Sequence, residues 1–282
     1  MNTAMTHSGN YVGNFKMINV QWWKLYINKT FGVDGLTEQF EPAKRFDGVR
    51  GPFVEVPASK FARVFKCSVG FAGRCRNLYL KQYFYRSAWD FVKHLFRPSR
   101  AERAFRAAIM LEENGLGSPD VVAMGELRYG PFCVNNLLIT RHLADAEDIC
   151  VYLLEKLKGQ TDGILADRRR FIASLGKTIG WMHAAGIFHG DLRPRNIFAK
   201  KSEDNWEFFL LDNERTKQFR RLPSRLRLKN LVQINMFREG ISRTDRFRFY
   251  KAYLEQNTMV VGNPKILAVK ISSKTNSRLQ KK

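Results

Sequence analysis

The stretch HGDLRPRN at residues 189–196, followed by FFLLD at residues 208–212, decides how this chain reads. It spaces two carboxylates and an amide as metal-assisted phosphoryl transfer requires. One Asp orients and deprotonates an attacking hydroxyl, while an Asn five residues on and a second Asp on a following strand hold Mg²⁺ against nucleotide phosphates. Asp191 fits the base, and Asn196 and Asp212 fit the metal ligands. A tight loop keeps Asp191 and Asn196 close, and the apolar run 206–211 predicts a buried strand that delivers Asp212. Mg²⁺ takes few carboxylates when phosphate oxygens and water complete its shell, so one Asp and one Asn suffice. A lone HxD is more often a plain turn. The Asn at +5 and the Asp 21 residues after Asp191 make the pattern specific.

Upstream of the loop, Phe171, Leu175 and Ile179 recur at four-residue intervals with Met182, predicting a helix from Arg168 to Ala185 with one face in a core. Gly186 is its expected C-cap, and Ile187 and Phe188 form a short apolar strand leading into the loop. A base hung on such supports is rigidly held. His183, on the same helix, reads as a core residue.

The first half of the chain has strand character. FVEV from Phe53, ARVFKCSV from Ala62 and NLYLKQYFY from Asn77 predict an antiparallel sheet with a turn near Gly70 to Gly73 and with Lys81 on its third strand. Lys81 alone is equally well a solvent-facing residue. SRAE at residues 99–102 is a capping box that opens a helix ending before Gly115. Glu102 therefore has two readings, as a cap or as the partner of Lys81. Val121 to Met124 and Asn136 to Thr140 predict two further strands, and Arg141 to Ala144 link them to a Leu-rich helix. Residues 1–50 have turn signals and an amphipathic WWKLY segment, and no role follows from them.

Forty-eight Lys and Arg against 26 Asp and Glu give a net charge of +22, which selects for a polyanionic partner. Twelve basic and two acidic residues fall between Arg215 and Lys251, interleaved with Phe219, Leu222, Phe237, Phe247, Phe249 and Tyr250. That run is a nucleic-acid face, a surface for anionic lipid, or a solvated face. Four cysteines without C-x-x-C spacing indicate neither disulfides nor a zinc knuckle. No apolar run is long enough to span a bilayer, and the polar N-terminus does not read as a secretory signal.

The order of strand Lys81, SRAERAFRAAIMLEENGLGSP, LLITRHL, HAAGIFHGDLRPRNIF and FFLLDNERTK resembles the bacterial lipopolysaccharide kinase family. These kinases phosphorylate 3-deoxy-octulosonic acid (Kdo) or heptose of the inner core and are relatives of protein kinases. The resemblance covers residues 53–254 and implies an α+β, protein-kinase-like two-lobed fold. Residues 51–143 would form a small antiparallel sheet with one main helix, and 144–254 a mostly helical, shortened second lobe. Residues 1–50 would be an N-terminal extension, and 255–282 a basic tail disordered after Ser272.

The same resemblance implies Asp191 as base, Arg193 as a support for the transferring phosphoryl group, and Asn196 and Asp212 as Mg²⁺ ligands. Lys81 would anchor the ATP phosphates with Glu102 as its partner, and the backbone around Arg141 and Leu143 would bind adenine. No G-x-G-x-x-G is present, so Ser59, Lys60 and nearby amides would cover the phosphates. Asn213 and Glu214 follow Asp212 instead of Phe-Gly, no A-P-E follows, and 70 residues remain after Asp212. These departures favour a glycolipid or small acceptor over a protein. The implied partners are the lipopolysaccharide core and an anionic membrane surface, with no nucleic acid. The implied setting is cytoplasmic, at the inner face of the inner membrane. An atypical protein or small-molecule kinase, or a nucleotide-binding scaffold, are the alternatives. A scaffold has no need of all three of Asp191, Asn196 and Asp212.

Overall fold

The computed structural model describes residues 14–20, 22–31, 53–58, 60–71, 74–85, 87, 89, 97–203, 205–257 and 262–281. Two compact units divide the chain. The first comprises Met1–Glu102 and Asp120–His142, and the second Arg103–Pro119 and Leu143–Lys282.

The first unit is built on a seven-stranded antiparallel sheet. Its strands are β1 (Phe15–Val20), β2 (Trp23–Asn28), β3 (Phe53–Val56), β4 (Ala62–Phe71), β5 (Arg74–Tyr83), β6 (Val121–Tyr129) and β7 (Phe132–Arg141). They are ordered β1-β2-β6-β7-β5-β4-β3. The period-2 geometry of a strand sends alternate side chains to opposite faces. Leu78 and Leu80 of β5 are therefore buried with Ile139, Leu137, Ala123, Ile27, Trp23 and Phe31 on one face. Lys81 and Tyr83 point to the other, level with Leu138 and Asn136 of β7. The sheet is larger than expected because residues 1–50, for which no role was evident, supply β1 and β2. β2 pairs with β6 through Trp23↔Leu127 and Ile27↔Ala123, so the WWKLY segment is a strand whose Trp23 joins the core.

Helix α1 (Arg100–Glu113) starts on the Lys81 face, where the Ala101 N–H donates to Asn136 Oδ1 at 3.0 Å. Ser99 Oγ accepts from the Glu102 N–H at 3.0 Å, as the capping box predicted.

In the second unit, β8 (Glu147–Asp148) leads through α2 (Ile149–Val151) into a π-turn at Tyr152–Lys156. Helix α3 (Asp162–Ala184) starts earlier than the apolar stripe alone suggested. Arg168 is not its first residue. Its guanidinium lies beside Asp245 at 2.9 Å and also donates to the carbonyls of Leu153 and Leu157. Phe171, Ile179 and Met182 are fully buried, as the stripe required. After Gly186 (φ +76°) come β9 (Ile187–Phe188), then β10 (Ile197–Ser202), β11 (Asn205–Leu210) and β12 (Lys217–Gln218). β11 alternates, with Trp206, Phe208 and Leu210 buried, rather than being buried throughout. Helices α4 (Ser224–Asn235) and α5 (Arg243–Gln256) complete the core around Tyr253, Leu231 and Phe171. A Cβ on Gly176 or Gly180 of α3 would lie 2.4 Å from the Phe249 carbonyl oxygen or 2.7 Å from that of Tyr253, so these glycines set how closely α5 approaches.

The tail expected to be disordered is helical, as α6 (Pro264–Leu279). Asn263 Oδ1 accepts from the Lys265 N–H at 2.8 Å, and Pro264 occupies the first helical position, where its missing N–H costs nothing. Ile271 and Thr275, one turn apart, are buried, and Asn235 Nδ2 of α4 donates to Thr275 Oγ1 at 3.0 Å. The polar composition of this segment hid a narrow seam. No helix among the described residues is long and apolar enough to cross a membrane.

Candidate active site

The HGDLRPRN loop is anchored from three sides, all within the second unit. His189 is fully buried. Its Nδ1 accepts from the Asp191 N–H at 3.2 Å, and its Nε2 lies 3.0 Å from the Leu211 carbonyl. A backbone N–H can only donate and a carbonyl only accept, so His189 is the Nε2–H tautomer. Burial lowers its pKa and keeps it neutral. One imidazole thus ties Asp191 to the residue preceding Asp212.

A second anchor is Asn230 of α4, which is 0% exposed. Its Oδ1 accepts from the His189 N–H at 3.1 Å, and its Nδ2 donates to the His189 carbonyl at 2.6 Å. His183, behind it, lies 3.2 Å from Asn230 Oδ1 through Nε2 and 3.0 Å from the Tyr253 hydroxyl through Nδ1. Burial drives the His183 pKa down to about 3. A neutral ring has one donor nitrogen, here Nε2, so the Tyr253 hydroxyl donates to Nδ1 and accepts from Asn257 Nδ2 at 3.0 Å. The expected core role of His183 holds, with a polar task added.

Space is the third constraint. A Cβ on Gly190 would lie 2.1 Å from Arg215 Cβ and 2.8 Å from the Arg215 carbonyl oxygen. No larger residue fits between Arg215 and the loop. This accounts for glycine where many protein kinases carry Arg.

The expected residues then fall as follows. Asp191 is half-buried, and Asn196 Nδ2 donates to its carbonyl at 2.9 Å, which turns Asn196 Oδ1 away as an available acceptor. Asp212 follows β11, exposed, in the left-handed region at φ 60°, ψ 48°, which Asp tolerates better than most residues. One carboxylate and one amide oxygen are donors suited to Mg²⁺ that keeps phosphate and water ligands, so the residues fit that ion. No group of three or more His, Cys, Asp or Glu that would hold a metal by itself occurs among the described residues. Arg193 is exposed, and its Nε lies 2.9 Å from Asp191 Oδ1, so it meets the Asp191 carboxylate itself. Gln233 Nε2, also from α4, donates to the same oxygen at 3.3 Å.

In the first unit, the Lys81 ammonium stands 5.2 Å above the Tyr83 ring, on the sheet face where α1 begins. The Arg128 pKa is raised, chiefly by its hydrogen bond to Glu126 and to a smaller extent by the charge of Glu102. Lys60 is exposed beside Phe61, and Ser59 lies outside the described residues. Arg141 ends β7. Its backbone N–H donates to the Asp120 carbonyl at 2.9 Å, and its guanidinium pairs with the Asp120 carboxylate at 3.3 Å. The His142 N–H is likewise used, by the Asn77 carbonyl, while Leu143 is half-buried.

Sequence reasoning missed Asn230 and Gln233. The available signal was an Asn inside a helix beside Leu231 and Val232, where its low helix propensity calls for a reason. The basic run also divides. Of its large apolar residues only Phe247 is strongly exposed, whereas Leu222 is buried and Phe237, Phe249 and Tyr250 pack on the core. Arg227 is itself buried.

The model of the "Lipopolysaccharide kinase (Kdo/WaaP) family" matches residues 46–253. Among solved structures, one described as "WaaP in complex with acyl carrier protein" aligns over 86% of this chain and 96% of its own, with 19% sequence identity and a TM-score of 0.61. That likeness shows a shared fold. No curated protein matches the sequence. With most of its length matched by the family model, the chain belongs to the lipopolysaccharide kinase (Kdo/WaaP) family and is a kinase, a phosphotransferase.

Proposed function

We propose that this kinase transfers the terminal phosphoryl group of ATP to a hydroxyl of Kdo or heptose in the lipopolysaccharide inner core, with Asp191 as the general base. The observation that carries the reading is the anchored loop. Asp191 is half-buried and tied through its own N–H and carbonyl to His189 and Asn196, so its carboxylate meets an incoming hydroxyl without reorganising. The sugar hydroxyl gives its proton to Asp191 as the new O–P bond forms and the bond to the bridging oxygen of ADP breaks. Asn196 Oδ1 and the Asp212 carboxylate would hold Mg²⁺, which when bound neutralises the charge on the phosphates. Lys81 would contact the phosphates with Glu102 as its partner. Ser59 and Lys60 would cover them, and the Leu143 backbone would take adenine.

The experiment is mass spectrometry of lipopolysaccharide core from cells with and without this protein. The expected result is loss of one phosphate on a Kdo or heptose residue. An unchanged core would overturn the acceptor assignment.

We also propose that the enzyme works at an anionic membrane surface of the cytoplasm. Arg215, Lys217, Arg220, Arg221, Arg225, Lys229, Arg243 and Lys251 are all exposed, as is Phe247. Each base near an anionic surface contributes roughly 1 kcal/mol, so a few of them hold the protein there without an anchor. In vesicle sedimentation, binding to phosphatidylglycerol vesicles is expected to exceed binding to phosphatidylcholine vesicles and to fall with salt. Equal binding to both would sink the idea.

A further inference from the structure

We propose that Gln233 is a positioning residue for phosphoryl transfer. Its side-chain amide fixes one oxygen of Asp191, Oδ1, and thereby selects Oδ2 as the oxygen that receives the proton. This rests on the reading of Asp191 as the base.

The orientation of Gln233 follows by elimination from a single peptide. The His189 N–H and C=O leave Asn230 only one orientation, with Oδ1 toward the N–H and Nδ2 toward the C=O. The remaining Nδ2 hydrogen of Asn230 reaches the Gln233 side chain at 2.9 Å, and a donor there requires an acceptor, so that atom is Oε1. Gln233 Nε2 is then the end that faces Asp191 Oδ1 at 3.3 Å. A flipped Gln233 would set an N–H against an N–H and an oxygen against a carboxylate. The two residues lie three apart on α4, on one helical face, so one rigid element anchors the loop and aims the carboxylate. Arg193 Nε lies 2.9 Å from the same oxygen as an ion pair. Among the described residues Oδ2 has no hydrogen-bond partner.

One consequence separates this role from mere packing. The nucleotide does not contact Gln233 in this scheme, so the effect falls on kcat and spares the KM for ATP.

The test uses the full chain with MgATP and lipopolysaccharide from cells lacking the protein. Gln233→Leu removes the donor, and Gln233→Glu keeps the shape but opposes Asp191 with a like charge. Gln233→Leu is expected to lower kcat about 10-fold. Gln233→Glu, which opposes the Asp191 carboxylate, is expected to lower it further, with the KM for ATP unchanged in both. A parental kcat, or a fall in kcat accompanied by a raised KM for ATP in both variants, overturns the inference. Asp191→Ala run alongside separates the two readings. If Asp191→Ala is inactive while the Gln233 variants match the parent, only the positioning role fails. If Asp191→Ala keeps turnover, the base assignment fails first.

Discussion

Asp191→Ala is expected to abolish phosphate transfer while most nucleotide binding survives. The substitution removes the carboxylate proposed to accept the hydroxyl proton, a contribution of about 10²- to 10⁴-fold for a positioned base. It removes no proposed metal ligand. The anchoring of the loop runs through the Asp191 N–H and C=O, which Ala keeps, so the His189 and Asn196 contacts persist. Asp212→Ala is the informative contrast. It removes the carboxylate proposed to hold Mg²⁺, so both turnover and MgATP affinity should fall. Isothermal titration with MgATP together with a transfer assay separates the pair. Wild-type turnover in Asp191→Ala would show that the roles are misassigned, whatever the fate of Asp212→Ala.

Asn230→Leu is expected to unfold or strongly destabilise the second unit. Leu has the branched shape and heavy-atom count of Asn, so no cavity is opened and the loss is chiefly one of hydrogen bonds. Three buried groups lose their partner at once: the His189 N–H, the His189 carbonyl and the Nε2–H of His183. Each buried orphan costs about 1–3 kcal/mol, and His183 and His189 lie at 1% and 0% exposure, where water does not replace the partner. A combined loss of about 3–9 kcal/mol is a large share of the 5–15 kcal/mol that a typical domain has. Urea unfolding followed by tryptophan fluorescence would register it, since Trp206 and Trp181 lie in the same unit. A midpoint equal to the parent's would mean that the loop does not depend on this anchor.

The contrast between these two residues marks how far the chain could be read in advance. Asp191, Asn196 and Asp212 belong to a local pattern whose spacing is itself the signal. The helix with Phe171, Leu175, Ile179 and Met182, and the strands around Lys81, were legible because burial follows a 3.6- or 2-residue period. The C-terminal helix was not, since its second half is polar and its seam is narrow, with Leu267, Ile271 and Thr275 turned toward the core. The strands before residue 30 were hidden for another reason. β1 and β2 pair as a local hairpin, but the strand that joins them to the sheet is β6, about 100 residues along the chain.

The basic run between Arg215 and Lys251 shows the same boundary in its side chains. Its charge is a property of composition, and its interleaved Phe and Leu residues looked available for a surface. Once α4 and α5 are packed, most of those apolar groups face the core and the exposed bases are left with Phe247.

The sequence by itself determined that this chain has the parts for phosphoryl transfer, their order and the family they belong to, because those features lie within a few residues of one another. Only the tertiary structure decided how Asp191, the proposed base, is held. Gln233 lies 42 residues from Asp191, and Asn230 lies 41 from His189. Contacts at that separation form only when α4 docks under the loop, and their hydrogen-bond directions are dictated by the His189 peptide, on which no sequence pattern bears.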